Sequence, residues 1–376
     1  MAGLYLHIPF CKKRCSYCDF HFVTNFQKHR EALILTMSKE IELRKNELTE
    51  RIDSIYFGGG TPSLLEKHEF ELLLNSISSN YSVGDNIEIT IEANPDDCSE
   101  LKLQDWINLG INRLSIGLQS FKDGELEWMN RSHTTEQGIS AVKNAQKAGF
   151  SNISIDLIYG LPELNKEEWL ISLKNAVALN PSHISAYCLT VEPKTALHKW
   201  TSIGRFNPLD EEIQNEQFED LILFLEKHNY EQYEISNFAK NQTYAKHNTA
   251  YWEGKKYLGF GPSAHSYDRI NRRWNISNNS VYCKNVGLNS LWYQQEELSK
   301  EDQWNELFLT GFRTKWGVNK KSIELLGGLN DSEQKMLSKF ISLGLLINTN
   351  TSWILTFEGK KQADGLASEM FRLNNN

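Results

Sequence analysis

The chain has 376 residues, 40% of them hydrophobic and 23% charged, and its 40 Lys and Arg against 48 Asp and Glu leave a formal net charge of −8. This length allows one large domain and one small one, and the acidic balance argues against a general nucleic-acid-binding protein. No apolar run reaches the roughly 18 residues of a membrane span, and Met1–Leu6 lacks the charged start of a signal peptide. We therefore expect a cytoplasmic protein, whose thiols stay reduced.

Three of the six cysteines lie within eight residues, directly after a predicted strand over Leu4–Ile8. Their spacing is C-x3-C-x2-C, formed by Cys11, Cys15 and Cys18. Soft sulfur ligands favour iron or zinc, and the polar and basic residues between them argue against a core segment. An iron–sulfur cluster with three thiolate ligands keeps one iron open for another ligand. A zinc site completed by His21 or Asp19 is the alternative.

Strand-like and helix-like segments then alternate through the first two-thirds of the chain. The predicted strands are Leu4–Ile8, Ser54–Phe57, Ile87–Glu92, Arg113–Leu118, Ile153–Tyr159 and His183–Leu189. The predicted helices are Lys28–Leu48, Glu66–Ser79, Ser99–Leu109, Thr135–Ala148, Glu167–Leu179 and Asp210–His228. Six strand–helix units predict an α/β fold with a parallel sheet and outer helices, and they fit a full or partial TIM-type barrel, (β/α)6.

Residues suited to ligand binding follow these strands, at the edge where parallel sheets bind ligands. The glycines before Thr61 allow close backbone approach, although a tight turn alone would give the same pattern. Glu92 and Gln119 end the third and fourth strands. Asp156 lies within an apolar run, where a carboxylate needs a partner.

The pattern changes from about Tyr244. The segment His247–Asp268 is rich in Gly, His and aromatic residues without clean periodicity, and it begins with the run H-N-T-A-Y-W. Histidine can ligate heme iron and aromatic rings can flank a planar macrocycle, although core packing would explain the run equally well.

Beyond Lys300 the segments predict a winged-helix-like C-terminal domain. They are the helices Glu301–Lys315, Lys320–Leu326 and Ser332–Leu343, the short apolar runs Leu345–Ile347 and Trp353–Leu355, and a final helix over Glu358–Arg372. The acidic charge favours a packing or lid module over nucleic-acid binding, and we expect Asn374–Asn376 to be disordered. The predicted division is a barrel at 1–243 with the cysteine loop at 7–21, a connecting region at 244–299 and the C-terminal domain at 300–376.

The cysteine segment resembles the cluster loop of the radical S-adenosylmethionine (SAM) enzymes. Nearly the whole chain is similar to the oxygen-independent coproporphyrinogen III oxidase family and its HemW-type heme-chaperone branch. The resemblance implies a partial six-unit radical SAM barrel that carries a 4Fe-4S cluster on the three cysteines, with SAM at the open iron. The cofactor-binding residues that we predict on this basis are Tyr5, Tyr17, Gly59, Gly60, Thr61, Glu92, Gln119, Arg131 and Asp156.

For several of these residues, the resemblance implies which chemical group of SAM each one would contact. The glycine run would contact the amino group, and Arg131 would pair with the carboxylate, for which its planar fork is suited. Asp156 would lie near the ribose and adenine. Tyr17 could shield the cluster or stack on a ligand.

The run H-N-x-x-Y-W matches a motif of the HemW-type branch and implies heme binding by His247, Tyr251 and Trp252. His265 is a second candidate, and His7 and His21 are weaker ones. The remaining cysteines, Cys98, Cys188 and Cys283, are expected to be structural.

Two features favour a heme chaperone over an oxidase. The oxidases that this chain resembles carry a fourth cysteine where Phe20 stands, and they have a long N-terminal arm, whereas ten residues precede Cys11. We therefore expect a protein that binds heme and passes it to an acceptor haemoprotein, such as a membrane respiratory enzyme. The alternatives are a coproporphyrinogen III oxidase and a zinc-bearing barrel protein. The electron donor is left open, and a homodimer is an option.

Overall fold

The computed structural model describes residues 2–373, so Asn374–Asn376 and the disorder predicted for them lie outside the described residues. Fifteen strands are found, in chain order β1 (Ala2–Ile8), β2 (Ile52–Gly59), β3 (Val83–Ala93), β4 (Arg113–Gln119), β5 (Asn152–Tyr159), β6 (His183–Cys188), β7 (Glu231–Glu234), β8 (Asn237–Ala239), β9 (Tyr257–Phe260), β10 (His265–Tyr267), β11 (Asn271–Asn275), β12 (Tyr293–Glu297), β13 (Val318–Asn319), β14 (Leu346–Asn348) and β15 (Ser352–Leu355).

The helices follow the strands closely in the first two-thirds of the chain. They are α1 (Arg30–Leu43), α2 (Lys67–Asn80), α3 (Glu100–Asn108), α4 (Asp123–Trp128), α5 (Thr135–Ala148), α6 (Lys166–Ala178), α7 (Ala196–Ser202), α8 (Glu211–Lys227), α9 (Lys246–Trp252), α10 (Asn279–Gly287), α11 (Lys300–Gly311), α12 (Lys320–Leu325), α13 (Asp331–Ser342), α14 (Phe357–Lys360) and α15 (Ala363–Ser368). None of the described helices is long and apolar enough to cross a membrane.

Twelve strands form one sheet in the order β12-β11-β10-β9-β1-β2-β3-β4-β5-β6-β8-β7. Strands β1 to β6 pair in parallel in chain order, which confirms the predicted six-stranded parallel sheet. One face of these strands is apolar and packs against the helices, whereas the face toward the barrel interior carries polar side chains, among them Ser54, Glu92 and Asp156. No pairing joins β7 to β12 within residues 2–373, so the barrel is partial and open.

Residues 244–299, predicted as a connecting region without periodicity, contain four strands that extend this sheet. Strand β9 pairs in parallel with the outer side of β1, and β10 to β12 follow in antiparallel order. A buried carboxylate joins this extension to α1: Glu40 accepts hydrogen bonds from Asn275 Nδ2 at 2.8 Å, Trp292 Nε1 at 3.1 Å and Tyr282 Oη at 2.6 Å. The sequence pattern missed these strands because each has only three to five residues.

Three predicted helices differ from the observed ones: α11 ends at Gly311 instead of Lys315, and two others differ for identifiable reasons. Helix α1 ends at Leu43 instead of Leu48, since Arg44 is only 1% exposed and its guanidinium bonds Gly259 O and Ser266 Oγ across the sheet extension. The final predicted helix, Glu358–Arg372, is two short helices, α14 and α15. They are separated because Gln362 has non-helical backbone angles.

The C-terminal part has its own apolar core and small sheet. Helices α11 to α13 and the antiparallel sheet β13-β15-β14 occur in winged-helix order. Its core is centred on the buried rings of Trp304, Phe308 and Phe340. The boundaries predicted at residues 243 and 299 stay a prediction.

Candidate functional site

A cavity of about 1000 Å³ opens at the carboxyl ends of β2 to β6. Eleven of the fifteen predicted site residues line it, namely Cys11, Cys15, Tyr17, Cys18, Gly59, Gly60, Thr61, Glu92, Gln119, Arg131 and Asp156. Residues distant in sequence meet here because parallel strands end at one edge of the sheet. Their individual binding roles stay predictions.

The cysteine loop is held over this cavity by backbone hydrogen bonds. Its two ends are joined, since Cys11 N donates to Val23 O at 3.1 Å and Val23 N donates to Pro9 O at 2.9 Å. In its middle, Ser16 N donates to Met129 O, and Ser16 O accepts from Leu197 N at 2.9 Å. The bonds of Ser16 join the loop to the end of α4 and to α7 without using a sulfur atom.

The three thiols suit ligation of an iron–sulfur cluster. Burial raises the pKa of Cys11 to about 11 and that of Cys18 to about 12, so positive charge is needed to hold them as thiolates. Thr61 Oγ1 lies 3.4 Å from the Cys11 sulfur and Arg131 Nη1 lies 3.5 Å from the Cys15 sulfur, as donors to thiolate ligands would. The donor set therefore fits a cluster with three protein ligands.

The zinc alternative receives less support from the same region. His21 Nε2 is bonded to Asn279 Oδ1 at 2.7 Å, and the His21 carbonyl bonds the His7 ring. Among the described residues, no three His, Cys, Asp or Glu side chains are grouped as ligands of a single metal ion.

The glycine run brings the backbone of β2 against the start of the cysteine loop. A Cβ at Gly60 would lie 2.7 Å from Phe10 O and 2.8 Å from Ile8 O, which no side chain tolerates. Gly59 has φ of +107°, and a Cβ there would meet the His7 ring at 2.7 Å. Close approach of two backbones therefore requires a glycine at residue 60, and the positive φ favours a glycine at residue 59.

Two half-buried carboxyl groups lie on the cavity floor. Glu92 accepts a hydrogen bond from Tyr56 Oη at 2.8 Å and from Gly59 N at 3.2 Å. Burial, with a contribution from Asp156, raises the pKa of Glu92 to about 7. Burial also raises the pKa of Asp156, which accepts from Ser115 Oγ at 3.2 Å. Carboxyl groups in such surroundings can bind an ammonium group or ribose hydroxyls.

Arg131 lies between the cysteine loop and the strand ends. Its Nη2 donates to Asn94 Oδ1 at 2.8 Å and to Gly117 O at 2.9 Å, and its buried Nε has no hydrogen-bond partner within residues 2–373. Part of the guanidinium fork is therefore available to a carboxylate ligand. Gln119, at φ of +66°, lies beside it, and a Cβ at Gly117 would displace the end of the Gln119 side chain, whose Nε2 would lie 2.8 Å away.

Asn248 of the H-N-x-x-Y-W run lines the cavity, whereas His247, Tyr251 and Trp252 lie outside its lining. His247 is 1% exposed, and its ring bonds Ser54 Oγ at 2.9 Å through Nδ1 and Tyr251 Oη at 2.8 Å through Nε2. Burial lowers the pKa of His247 to about 3. Its ring stacks on Tyr56 at 5.1 Å, so the motif supports the residue that bonds Glu92.

The other predicted residues outside the cavity also have internal partners. Tyr5 Oη bonds His7 Nδ1 at 3.1 Å, and Trp252 lies 5.3 Å from the guanidinium carbon of Arg313. His265 is exposed on the short strand β10. Binding of heme iron by His247 stays a prediction, and it would require Tyr251 or Ser54 to give up its hydrogen bond.

Sequence reasoning missed several residues of the cavity wall. They are Tyr56, Asn94, Ser115, Tyr187, Cys188, Arg313 and Lys360. Asn94 could have been found, since it follows the end of the predicted strand Ile87–Glu92, whereas Ser115 lies inside the predicted strand Arg113–Leu118. Cys188, expected to be structural, lines the cavity at the end of β6. Phe20 is at the mouth and 63% exposed.

Comparison with known families agrees with this architecture. Residues 5–175 match the model of the radical SAM superfamily, and residues 298–360 match that of the HemN C-terminal domain. The fold is similar to that of coproporphyrinogen III oxidase (HemN) from Escherichia coli, with a TM-score of 0.84 and 22% sequence identity over 98% of this chain and 90% of that one. At that identity the likeness shows the fold alone.

Relatives of similar length carry a more specific description. The heme chaperone HemW of Bacillus subtilis is 34% identical over 368 residues, which cover 96% of both chains. HemW of Haemophilus influenzae is 33% identical over 95% of this chain and 94% of its own. The mitochondrial radical SAM domain-containing protein 1 of Danio rerio is 35% identical over 70% of this chain and 60% of its own. The chain therefore belongs to the HemW family of radical SAM proteins.

Proposed function

We propose that this protein is a heme chaperone, which binds heme and transfers it to an acceptor haemoprotein while carrying a 4Fe-4S cluster with exchangeable SAM. The observation that carries the proposal is the match, at 34% identity over 96% of both chains, to a relative described as a heme chaperone. The alternative is an oxygen-independent coproporphyrinogen III oxidase, which the experiment below distinguishes.

The cluster and SAM would bind in the cavity described above. Cys11, Cys15 and Cys18 would hold the cluster, which when bound supplies an iron with an open position and a one-electron redox couple. Arg131 would pair its partly unpartnered fork with the SAM carboxylate. Glu92, buried and bonded by Tyr56, would accept from the ammonium group.

Two further properties belong to this proposal. The cytoplasm is the compartment that we propose, because the free cysteines would stay reduced there. We propose the acceptor to be a haemoprotein, such as a respiratory enzyme in the membrane. The proposal also includes an electron donor, and it allows the protein to form a homodimer.

The test uses anaerobically reconstituted protein. Heme and SAM are added separately and followed by absorbance, while coproporphyrinogen III is assayed in parallel with a reductant. We expect one heme per chain and no porphyrinogen turnover. Formation of protoporphyrinogen together with 5′-deoxyadenosine would make the protein an oxidase instead.

Cysteine variants separate the cluster from heme binding. We expect Cys11→Ala, Cys15→Ala and Cys18→Ala each to lose the cluster absorbance and retain heme uptake. Cys283→Ala is the control, because Cys283 is half-buried on α10, outside the cavity wall. A parallel loss of heme and cluster in all three variants would contradict separate sites.

A further inference from the structure

The C-terminal part supplies one wall of the cavity. This wall is formed by Arg313 and by residues 360–365, which run from the last residue of α14 into the start of α15. The wall is fixed to the barrel, since Ile235 N donates to Arg313 O at 2.9 Å and Lys315 N donates to Tyr233 O at 3.0 Å. The cations of this wall therefore have defined positions relative to the barrel.

Two of these cations are neutralised by carboxylates of the protein. Arg313 Nε bonds Glu234 at 2.9 Å, and its Nη1 bonds Asp364 at 2.9 Å. Lys361 pairs with Glu219 and with Glu358. Neither charge needs a ligand to balance it.

Lys360 differs from its neighbours. Its Nζ bonds the neutral amide oxygen of Gln232 at 2.8 Å, and within residues 2–373 no carboxylate forms an ion pair with it. Burial lowers the pKa of Lys360, although the more distant Glu226 acts in the opposite direction. A half-buried ammonium group without a counter-ion destabilises its surroundings, and an anionic ligand would relieve that cost.

We propose that Lys360 binds a carboxylate of the ligand that occupies the outer part of the cavity, namely a propionate of a tetrapyrrole. The inference deepens the heme-binding function proposed above and rests on it. Arg131, the cation assigned to the SAM carboxylate, lies beside Cys15 of the cysteine loop, whereas Lys360 belongs to the wall formed by the C-terminal part. The two sites would thus take two different carboxylates.

The apolar residues that line the cavity would pack against the ring of a tetrapyrrole. Ile158, Tyr159, Leu189, Phe218 and Ile235 line the cavity near the C-terminal wall. A tetrapyrrole needs apolar walls for its ring and a cation at the edge that carries its propionates. Lys360 supplies that cation on the wall formed by the C-terminal part.

The experiment compares heme with heme dimethyl ester, in which both propionates are esterified, as ligands of the whole protein. Kd is measured for the wild type, for Lys360→Gln, and for Lys361→Gln as the matched control. We expect the wild type to bind heme about tenfold or more tightly than the ester, because a charge-assisted hydrogen bond is lost. Lys360→Gln should lose about tenfold in heme affinity and bring the two Kd values to within about threefold. Lys361→Gln should retain the wild-type ratio.

Each other outcome identifies which proposal fails. A wild type that takes up heme, with a Lys360→Gln variant that keeps the heme-to-ester ratio, overturns the role of Lys360 and leaves the chaperone function intact. A wild type that takes up no heme overturns both. Matching tryptophan emission spectra of the three folded proteins show that the substitutions leave the fold unchanged.

Discussion

Glu92→Gln tests whether the cavity floor is built for a ligand at the expense of stability. The pKa of the Glu92 carboxyl rises from 4.5 to about 7 on folding, chiefly through burial. The folded protein therefore holds a proton that the unfolded chain releases, and wild-type stability falls as pH rises from about 4.5 through about 7. Glutamine cannot ionise, so Glu92→Gln does not lose stability in this way as pH rises.

The size of the effect follows from the pKa values. Each pKa unit corresponds to about 1.4 kcal/mol, so the difference would be about 3 kcal/mol for a carboxyl fully shielded from water. Glu92 lines an open cavity and is partly accessible, which reduces the expected effect to about 1–2 kcal/mol. The amide oxygen can still accept from Tyr56 Oη, the shorter of the two bonds at 2.8 Å.

Urea unfolding at pH 5, 6, 7 and 8, without SAM, measures the effect. The free energy of unfolding of Glu92→Gln minus that of the wild type should rise by about 1–2 kcal/mol from pH 5 to pH 8. The exposed Glu127→Gln serves as the control and should give a flat difference. SAM affinity should fall about tenfold or more in Glu92→Gln, because its ammonium group loses a charged acceptor. A flat or falling difference for Glu92→Gln would refute the reasoning.

Two further substitutions test the framework of the site. Glu40→Gln should lower the free energy of unfolding by about 3–5 kcal/mol, since five donors converge on its carboxylate and an amide cannot accept from all of them. Glu42→Gln, exposed on the same helix, should stay within about 0.5 kcal/mol in the same urea experiment, and an equal loss in both would contradict this account. Gly60→Ala should reduce cluster content after reconstitution, measured as iron per chain, because its Cβ would collide with the backbone of the cysteine loop. Gly124→Ala, which meets nothing within 4 Å, should retain full iron content, and full content in Gly60→Ala as well would show that the loop can shift.

Local sequence patterns were sufficient to predict the parallel strands and the helices of the barrel. The strands β1 to β6 carry apolar residues at alternate positions, such as Leu114 and Ile116, and several helices begin at strong capping residues such as Thr134 and Asn165. The observed helix Thr135–Ala148 has the predicted bounds because the capping box at Thr134 and the left-handed Gly149 act on neighbouring residues alone. The strand-end residues could be grouped in advance, because parallel strands must end at one edge.

The sequence by itself thus determined the cysteine loop, the parallel sheet and most of the cavity floor, all of which depend on residue type and short-range periodicity. Only the tertiary structure decided that β9 to β12 extend the sheet, since their pairing joins short segments to β1 across more than 200 residues. It also decided that His247 is buried behind Tyr56, and that Lys360 reaches the cavity from the far end of the chain. A side chain's burial and its counter-ions depend on which distant segments pack around it, and no local pattern contains that information.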